Sequence, residues 1–375
     1  MLNPVRLSQE LIACPSITPS DAGCMVIIEQ ILVDLGFQVS RLRFGDVDNL
    51  YARINSKEDN LCFAGHTDVV PIGNLSDWSV DPFAGVVKDD RLFGRGAADM
   101  KCAIACYISA VANVLADNSF DKSLSILLTS DEEGPAENGT RKMVPWVQEK
   151  GEMINSCIVG EPTNPNRVGQ MAKVGRRGSL SGHITVTGKM GHVAYPNEAA
   201  NPVHPITDFL ASLHQQNWDK GTDVFLPSSL QITSVDVGNR TNNVIPRTAT
   251  AAFNIRYNIL QTAKSLQSKI EKLAKDCINL PFELRFHHSG EPFLGADARL
   301  QNVLGEAVNQ VCGSIPEFTT TGGTSDARFI RKLCPVIEFG MNSDAAHQVD
   351  ESVSIDDILK LTAIYDKFIR IYFAD

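Results

Sequence analysis

Three apolar runs in the first half of the chain each end in residues that carry acid, base or metal-binding groups. The runs are L-C-F-A-G (61–65), S-L-S-I-L-L-T-S (123–130) and C-I-V-G (157–160). Short runs of this kind are typical of strands buried on both faces of a parallel sheet. Because the carboxyl ends of such strands meet at one edge, the polar residues that follow are predicted to share one site. These residues are His66 and Asp68, then Asp131, Glu132 and Glu133, then Glu161.

The order of predicted elements indicates two domains. Strand-like runs alternate with amphipathic stretches such as 103–116, which predicts crossover helices around a mixed, mostly parallel sheet. After the G-R-R-G turn at 175–178, apolar and polar residues alternate with period two and two helical stretches follow, which predicts an antiparallel sheet with helices over one face. The first pattern returns from about 291, with a late strand in C-P-V-I-E-F-G and a closing helix. We therefore predict an α/β domain (1–177 and 291–375) with an inserted α+β domain (178–290).

Composition excludes several classes of partner. The 375 residues are 43% hydrophobic, and the formal net charge of −10 with a pI near 5.3 argues against general binding to nucleic acid or to a membrane surface. We expect a small-molecule substrate instead. No apolar stretch approaches the 18 or so residues of a membrane span, and M-L-N-P-V-R-L-S-Q-E lacks the features of a signal peptide.

The nine cysteines lie between Cys14 and Cys334 without a disulfide-framework spacing, which predicts free thiols and a cytoplasmic, reducing compartment. Cys102 and Cys106 are spaced to share one face of a helix. For this pair, packing in the core is favoured over metal binding.

Two further residues extend the predicted site: Asp99 in G-R-G-A-A-D-M and His347 in D-A-A-H-Q-V-D-E. Carboxylates this close together are costly unless cations compensate them or some take up protons. A pair of divalent ions meets this need, and imidazole with carboxylate suits zinc. Taken singly, a histidine after a strand is more often a hydrogen-bonded loop residue, and an acidic run is more often solvated. The occurrence of five such elements at predicted strand ends favours the metal site.

Other chemistries lack their motifs. There is no G-x-x-x-x-G-K-[ST] phosphate loop, and G-R-G-A-A-D lacks the third glycine of the dinucleotide fingerprint. There is no G-x-S-x-G elbow, so Ser325 in T-G-G-T-S-D is not predicted to be a nucleophile.

The chain resembles the zinc-dependent aminoacylases and carboxypeptidases that have a co-catalytic metal pair. The resemblance runs along essentially the whole chain, through H-T-D-V-V-P, G-R-G-A-A-D-M-K, D-E-E-G, G-E-P-T and G-H-V-A-Y-P. Four longer strings are more specific and favour the branch that hydrolyses N-succinyl-L,L-diaminopimelate. They are V-G-R-R-G-S (174–179), M-G-H-V-A-Y-P-N-E-A-A-N-P-V-H (190–204), T-N-N-V-I-P (241–246) and T-G-G-T-S-D-A-R-F-I (321–330).

The resemblance implies a role for each residue of the site. His66 and Glu161 would bind one Zn²⁺, Glu133 and His347 the other, and Asp99 would bridge the two, with Co²⁺ as a substitute metal. Glu132 would be the general base, and Asp68 would orient His66. The peptide bond after Asp99 is expected to be cis. The α/β domain (1–177 and 291–375) would be the catalytic zinc domain, and the inserted domain (178–290) would serve as a dimerisation and lid domain. His192 would reach the active site of the partner subunit in a homodimer and stabilise the oxyanion there.

The implied substrate carries three carboxylates and one ammonium group, so an acidic protein must attract it locally. Arg176 and Arg256 offer planar donor forks suited to carboxylates. The resemblance adds further hydrogen-bonding neighbours: Ser179, Tyr195, Asn242, Asn243, Gly323 and Thr324. Without it, an ordinary turn or capping role is equally compatible with Arg176, Asn242 and Asn243.

Two positions depart from the family pattern. Cys102 stands where the family usually has glycine, and Ser343 stands at the position of a substrate-contacting asparagine, with Asn342 beside it. The second departure bears on substrate recognition and leaves two sister activities as alternatives, deacetylation of acetylornithine and dipeptide hydrolysis. A non-catalytic binding protein of the same fold is a further alternative, but it would be expected to lack a ligand or the base, and this chain retains all of them.

Overall fold

The computed structural model of the protein describes residues 2–117 and 120–374. The chain forms two compact units. The large unit comprises Met1–Val174, Gly295–Thr319 and Ser325–Asp375, and the inserted unit comprises Gly175–Leu294 and Thr320–Thr324. The chain thus enters the inserted unit after Val174 and leaves it after Leu294, whereas the sequence placed these changes after residues 177 and 290.

The α-helices, numbered along the chain, are α1 Pro4–Ile12, α2 Cys24–Asp34, α3 Cys102–Leu115, α4 Thr140–Glu149, α5 Val203–His214, α6 Ala263–Cys277, α7 Ala298–Cys312, α8 Ala327–Ile330 and α9 Ile355–Ala374.

The strands are β1 Gln38–Phe44, β2 Val47–Ile54, β3 Asn60–His66, β4 Val86–Lys88, β5 Arg91–Phe93, β6 Ser123–Thr129, β7 Ser156–Val159, β8 Met171–Lys173, β9 Gly175–Arg176, β10 Gly178–Thr187, β11 Gly191–His192, β12 Ser229–Asp236, β13 Val244–Ile245, β14 Thr248–Tyr257, β15 Phe282–Gly290, β16 Phe293–Leu294, β17 Glu317–Thr319, β18 Val336–Glu338 and β19 Ser352–Ser354.

The large unit is built on an eight-stranded mixed sheet, in the order β1-β2-β6-β3-β7-β18-β8-β17. The central strands β6, β3, β7 and β18 are mutually parallel, and β17 is parallel to β8. The β1–β2 hairpin joins β6 antiparallel, as β8 joins β18. The predicted fold class, a mixed and mostly parallel sheet flanked by helices, is confirmed. The carboxyl ends of β3, β6 and β7 therefore lie side by side.

The centre of this sheet is held by apolar contact with α3 and α9. Every residue of β3, β6 and β7 is buried, as expected for strands covered on both faces. The ring of Phe63 stacks on Tyr107 of α3 at 4.3 Å, and Tyr365 of α9 meets Tyr107 edge-on at 5.5 Å. Such aromatic pairs contribute about 0.5–1.5 kcal/mol each beyond the area that they bury. The strand ends that follow are thus fixed by a rigid core.

The helical stretch that includes α3 is long and strongly apolar. Among the described residues, one helix, Ala97–Leu115, is long and apolar enough to cross a membrane by composition, and 78% of that window is buried inside the protein. Cys102 and Cys106 both lie in this helix with no exposed surface, in the main hydrophobic core. Their predicted role in core packing is confirmed, and all nine cysteines are free thiols.

The inserted unit contains an antiparallel sheet in the order β12-β14-β10-β15. Residues of β10 and β14 alternate between buried and less buried positions, so one face of the sheet forms a second core with α5 and α6. Thr262 and Ser265 form a capping box at the start of α6, which satisfies backbone N–H groups that would otherwise lack partners. The predicted antiparallel sheet with helices over one face is confirmed, and β15 is a strand that the sequence analysis did not identify.

Candidate active site

Seven predicted residues of the large unit lie where three parallel strands end: His66, Asp68, Asp99, Glu132, Glu133, Glu161 and His347. His66 is the last residue of β3, Glu132 and Glu133 follow β6, and Glu161 follows β7. The N–H of Thr67 donates to the carbonyl of Thr129 at 2.8 Å, which prolongs the β3–β6 pairing into the site. Asp99 comes from the segment before α3, and His347 from the loop between β18 and β19. The rigid sheet therefore sets the positions of His66 and the acids, whereas two connections bring in Asp99 and His347.

Two groups of metal-binding side chains meet in this place, and they share one carboxylate. In the first group, His66 Nε2 lies 3.1 Å from Asp99 Oδ1 and 3.8 Å from Glu161 Oε1. In the second, His347 Nε2 lies 2.8 Å from Glu133 Oε1 and 3.2 Å from Asp99 Oδ2. The two oxygens of Asp99 thus face different imidazoles. The five residues fall into the same two groups that the resemblance implied for the two zinc ions.

The two groups differ in their access to solvent. His66 is 1% exposed, and Asp99 and Glu161 are also buried. The side chain of His347 is about half exposed. The first group is thus closed, whereas the second borders solvent.

The ring of His66 is oriented by the backbone of Asp68. His66 Nδ1 lies 2.9 Å from the Asp68 carbonyl oxygen, which requires a proton on Nδ1. In the neutral ring, Nε2 would then offer the lone pair to a metal ion, and it faces Asp99 and Glu161. A ligating histidine commonly has its tautomer fixed in this way.

The carboxylate of Asp68 has a different partner from the one expected. It lies 3.6 Å from His66 Nδ1, but it accepts the N–H of Glu132 at 3.2 Å and that of Glu133 at 3.1 Å. Asp68 therefore holds the backbone of both glutamates while its carbonyl orients the imidazole. Neighbouring Glu132 and Glu133 then direct their side chains from a fixed turn.

The pKa values reflect the crowding of charge. Burial acts to raise the pKa of Asp99, yet hydrogen bonds to His347 and His66 hold it well below its usual range. The hydrogen bonds to Asp99 and Glu133 raise the pKa of His347 to about 10. Burial alone would lower the pKa of His66, but its hydrogen bond and charge interaction with Asp99 raise it well above the ordinary value. The carboxylates thus favour positive charge at both imidazoles.

Glu132 is a member of neither group. Its burial, together with the charge of Glu161, raises its pKa well above the ordinary value. A partly buried carboxyl group with a raised pKa is suited to accept and return a proton.

The Asp99–Met100 peptide bond is cis, as the resemblance implied. Asp99 and Met100 have non-helical backbone angles inside the turn Ala97–Lys101, and α3 begins directly afterwards at Cys102. The carboxylate of Asp99 is thus presented from an irregular turn rather than from a helix.

The remaining predicted residues lie in the inserted unit. Arg176 is buried and its Nη1 donates to the carbonyl of Gly323 at 3.2 Å. Ser179 Oγ accepts from Asn254 Nδ2 at 3.1 Å. Burial lowers the pKa of Arg256, which is half-buried. Thr324 belongs to the same unit and is partly exposed.

Four of these predicted residues form an exposed part of the inserted unit. His192 Nδ1 accepts the N–H of Ala194 at 3.1 Å, and its ring lies 5.8 Å from that of Tyr195. Asn243 accepts the N–H of Val193 through its carbonyl, and Asn242 is exposed beside it. His192 and Asn243 are thus brought together by the short β11–β13 pairing.

Three residues beside the site were not singled out from the sequence. Asp326 is fully buried, burial raises its pKa to about 6, and its charge acts on Glu132. Arg95 and Glu351 form a buried ion pair next to Asp99. The signals were present, because Asp326 lies in T-G-G-T-S-D and Glu351 in H-Q-V-D-E, but a lone acid in a loop is more often solvated.

Sequence comparison places the chain among known proteins. Residues 62–371 match the profile of peptidase family M20/M25/M40. The chain is 48% identical to the succinyl-diaminopimelate desuccinylase of Rhodospirillum centenum over 99% of this chain and 98% of that protein. It is also 48% identical to the enzyme of the same name from Caulobacter vibrioides, over 100% and 97% of the two chains.

Solved structures share the fold at low sequence identity. The M20 family metallo-carboxypeptidase Sso-CP2 from Sulfolobus solfataricus superposes with a TM-score of 0.82 at 16% identity, covering 99% of both chains. The YxeP protein of Bacillus subtilis, described as a dinuclear metal-binding peptidase of the M20 family, gives 0.70 at 15% identity, over 99% of this chain and 97% of that one. These likenesses establish the architecture.

Removal of the His347 imidazole should abolish one of the two metal-binding groups and leave the other intact. We expect His347→Ala to retain about one tightly bound zinc ion per chain, because His66, Asp99 and Glu161 are left intact, whereas the unaltered chain retains about two. Zinc is measured per chain after chelation, reloading and dialysis. His204→Ala, at an exposed histidine of the inserted unit, is the control and should retain two. Two zinc ions in His347→Ala, or one in the control, would contradict the grouping.

Proposed function

Because this chain belongs to peptidase family M20/M25/M40, we propose that it is a hydrolase that removes succinate from N-succinyl-L,L-2,6-diaminopimelate with the help of two divalent metal ions. The products are succinate and L,L-diaminopimelate, so the reaction belongs to diaminopimelate and lysine biosynthesis. The observation that carries the proposal is the pair of histidine-carboxylate groups that share Asp99.

The donor set fits a metal pair. Each group offers one imidazole, one glutamate and one oxygen of Asp99, and the Nδ1 hydrogen bond of His66 leaves Nε2 free to ligate. Imidazole and carboxylate together suit zinc, and Co²⁺ takes similar ligands. His66 and Glu161 would hold one ion, Glu133 and His347 the other, with Asp99 between them. A bound metal pair supplies Lewis acidity and lowers the pKa of water from about 15.7 toward roughly 7.

Glu132 is the residue placed to move the proton. It lies beside Glu133 on the turn that Asp68 holds, but it is not needed as a ligand. Its carboxylate accepts a proton from the attacking water and returns it to the leaving amine of the substrate. A well-placed group of this kind contributes about 10²–10⁴ in rate.

The inserted unit supplies the groups that recognise an anionic substrate. Arg177 and Arg256 are about half-buried, and burial, together with the charge of Arg256, lowers the pKa of Arg177. With Arg176, they form a cationic region within an otherwise acidic protein. We propose that Arg176 and Arg256 bind substrate carboxylates, with Ser179, Tyr195, Asn242, Asn243, Gly323 and Thr324 as neutral hydrogen-bonding partners.

We further propose a homodimer in which His192 acts on the substrate bound by the other subunit. His192 is exposed, and its Nδ1 is already occupied by the N–H of Ala194, so Nε2 is the nitrogen that faces outward. In that tautomer Nε2 carries a proton and can donate to an oxyanion. The free thiols of all nine cysteines support a cytoplasmic location.

The substrate is tested by hydrolysis assays on chelated protein before and after zinc is restored. We expect zinc-dependent cleavage of N-succinyl-L,L-diaminopimelate and none of N-acetylornithine. The succinyl group carries a carboxylate that can pair with an arginine, whereas the acetyl group has none. Cleavage of N-acetylornithine alone would move the chain to a sister activity, in line with Ser343 at the substrate-contacting position. Cleavage of neither would favour a binding protein.

Substitution of the two neighbouring glutamates should separate catalysis from metal binding. We expect Glu132→Gln to retain two zinc ions and to lose activity by about 10²–10⁴-fold, because the proton acceptor is gone. Glu133→Gln should lose zinc affinity, because it removes a ligand. Glu137→Gln, in the same loop, is the control and should keep both. Equal zinc content and equal activity in the first two variants would refute this assignment.

Mixing two inactive variants should restore activity if His192 works across a dimer. His192→Ala and Glu132→Gln are each expected to be nearly inactive alone. In a refolded equimolar mixture, about half of the dimers are mixed, and each contains one intact site, so about a quarter of the full activity should return. Turnover is measured on N-succinyl-L,L-diaminopimelate, with dimers verified by light scattering. A mixture no more active than its components would exclude action in trans.

A further inference from the structure

The carboxylate of Glu351 lies beneath the turn that presents Asp99. Its Oε1 accepts the N–H of Ala98 at 2.8 Å and of Asp99 at 3.1 Å, and its Oε2 accepts that of Gly96 at 3.0 Å. The residue has no exposed surface. Backbone N–H groups before a helix lack intrahelical acceptors and need partners when buried. A single side chain from the far end of the chain satisfies three of them here.

Arg95 pairs with the same carboxylate of Glu351 and links it to a second segment. Its Nη1 donates to Glu351 Oε2 at 2.7 Å and to the carbonyl of Gln348 at 3.1 Å, and its guanidinium lies over the ring of Trp78 at 5.1 Å. Gln348 directly follows His347. The ion pair therefore connects the turn of Asp99 to the loop of His347.

The loop of His347 needs this anchor. His347 and Asp350 have positive φ angles of 63° and 57°, which are uncommon for residues other than glycine. At the end of the loop, the carbonyl of Glu351 accepts the N–H of Gly94 at 2.9 Å, and β19 pairs with β5 immediately afterwards. Glu351 thus fixes the two irregular segments that provide Asp99 and His347.

We propose that Glu351, neutralised by Arg95, is a positioning residue that holds the Asp99 carboxylate between the two histidines. The inference rests on the proposed metal pair, because its consequence is that Glu351 sets the affinity of both metal positions without being a ligand. Residues that orient ligands in this way typically change metal affinity or activity by about 10–100-fold when they are replaced.

The test is cobalt binding by the chelated full-length protein carrying Glu351→Gln. Glutamine has the same shape, but its NH₂ group faces a backbone N–H, and it no longer balances the charge of Arg95. Asp357→Asn is the matched control, since Asp357 is also a buried acid of the large unit that holds a loop, through the N–H of Val168 at 3.1 Å. Affinity is measured by calorimetry, the ligand field by visible absorption of Co²⁺, and stability by thermal melting without metal.

We expect Glu351→Gln to bind cobalt about 10–100-fold more weakly, with an altered absorption spectrum. Asp357→Asn should bind cobalt as the unaltered chain does, even where its melting temperature is lower. A second variant, Arg95→Lys, keeps the charge but lacks the planar guanidinium that packs over Trp78 and holds Nη1 between Glu351 and Gln348. It should show a smaller loss of cobalt affinity.

Unchanged cobalt affinity in a folded Glu351→Gln protein would overturn the proposal. The proposal would also be overturned if Asp357→Asn lost as much cobalt affinity as Glu351→Gln at the same loss of thermal stability. If Glu351→Gln does not fold, unchanged affinity in Arg95→Lys would overturn it. An unaltered chain that binds no cobalt would instead refute the metal pair itself, and the positioning role with it.

Discussion

In the large unit, the arrangement of the candidate site depends on one carboxylate, that of Asp99, which is shared between two imidazoles. Each of its oxygens faces a different histidine, and Glu133 and Glu161 complete the two groups. Four carboxylates, with Glu132, would repel one another strongly in a buried place unless positive charge compensated them. The buried strands behind them fix where these acids begin, so the crowding is relieved by cations or by proton uptake. The arrangement therefore favours a cation between the carboxylates.

The site residues are divided between strand ends and loops, and this division follows from the need to place both oxygens of Asp99. The central strands carry His66 and the acids of β6 and β7 as rigid extensions of the core, whereas Asp99 and His347 come from irregular backbone. Irregular segments reach positions that strands cannot, but their backbone groups then need partners. Asp68 meets this need for the turn of Glu132 and Glu133, and Glu351 meets it for the turn of Asp99. The carboxylates of two acids thus hold the backbone turns from which other site residues extend.

The sequence predicted the parts of the molecule in which one signal dominates. Buried strands such as β3 and β6 are evident because apolar runs end abruptly in acids, and the inserted sheet is evident from its strict alternation. Strand β15 was missed because F-E-L-R-F-H-H-S-G mixes charged and apolar residues, and none of its nine residues is buried. The role of Glu351 was also hidden, because its partner Arg95 lies 256 positions earlier in the chain. The cis bond after Asp99 was expected only from resemblance to a family, since no residue pattern requires it.

The place of β18 in the sheet has a consequence for synthesis. This strand lies between β7 and β8, yet it is synthesised only after the last residue of the inserted unit. Until then, the nascent chain holds two half-sheets whose facing edges are unpaired, and such edges readily accept a wrong strand. His347 arrives later still, so the first metal group is complete long before the second. β18 thus joins the two parts of the sheet late in synthesis. A chain truncated before β18 lacks both a continuous sheet and a complete site.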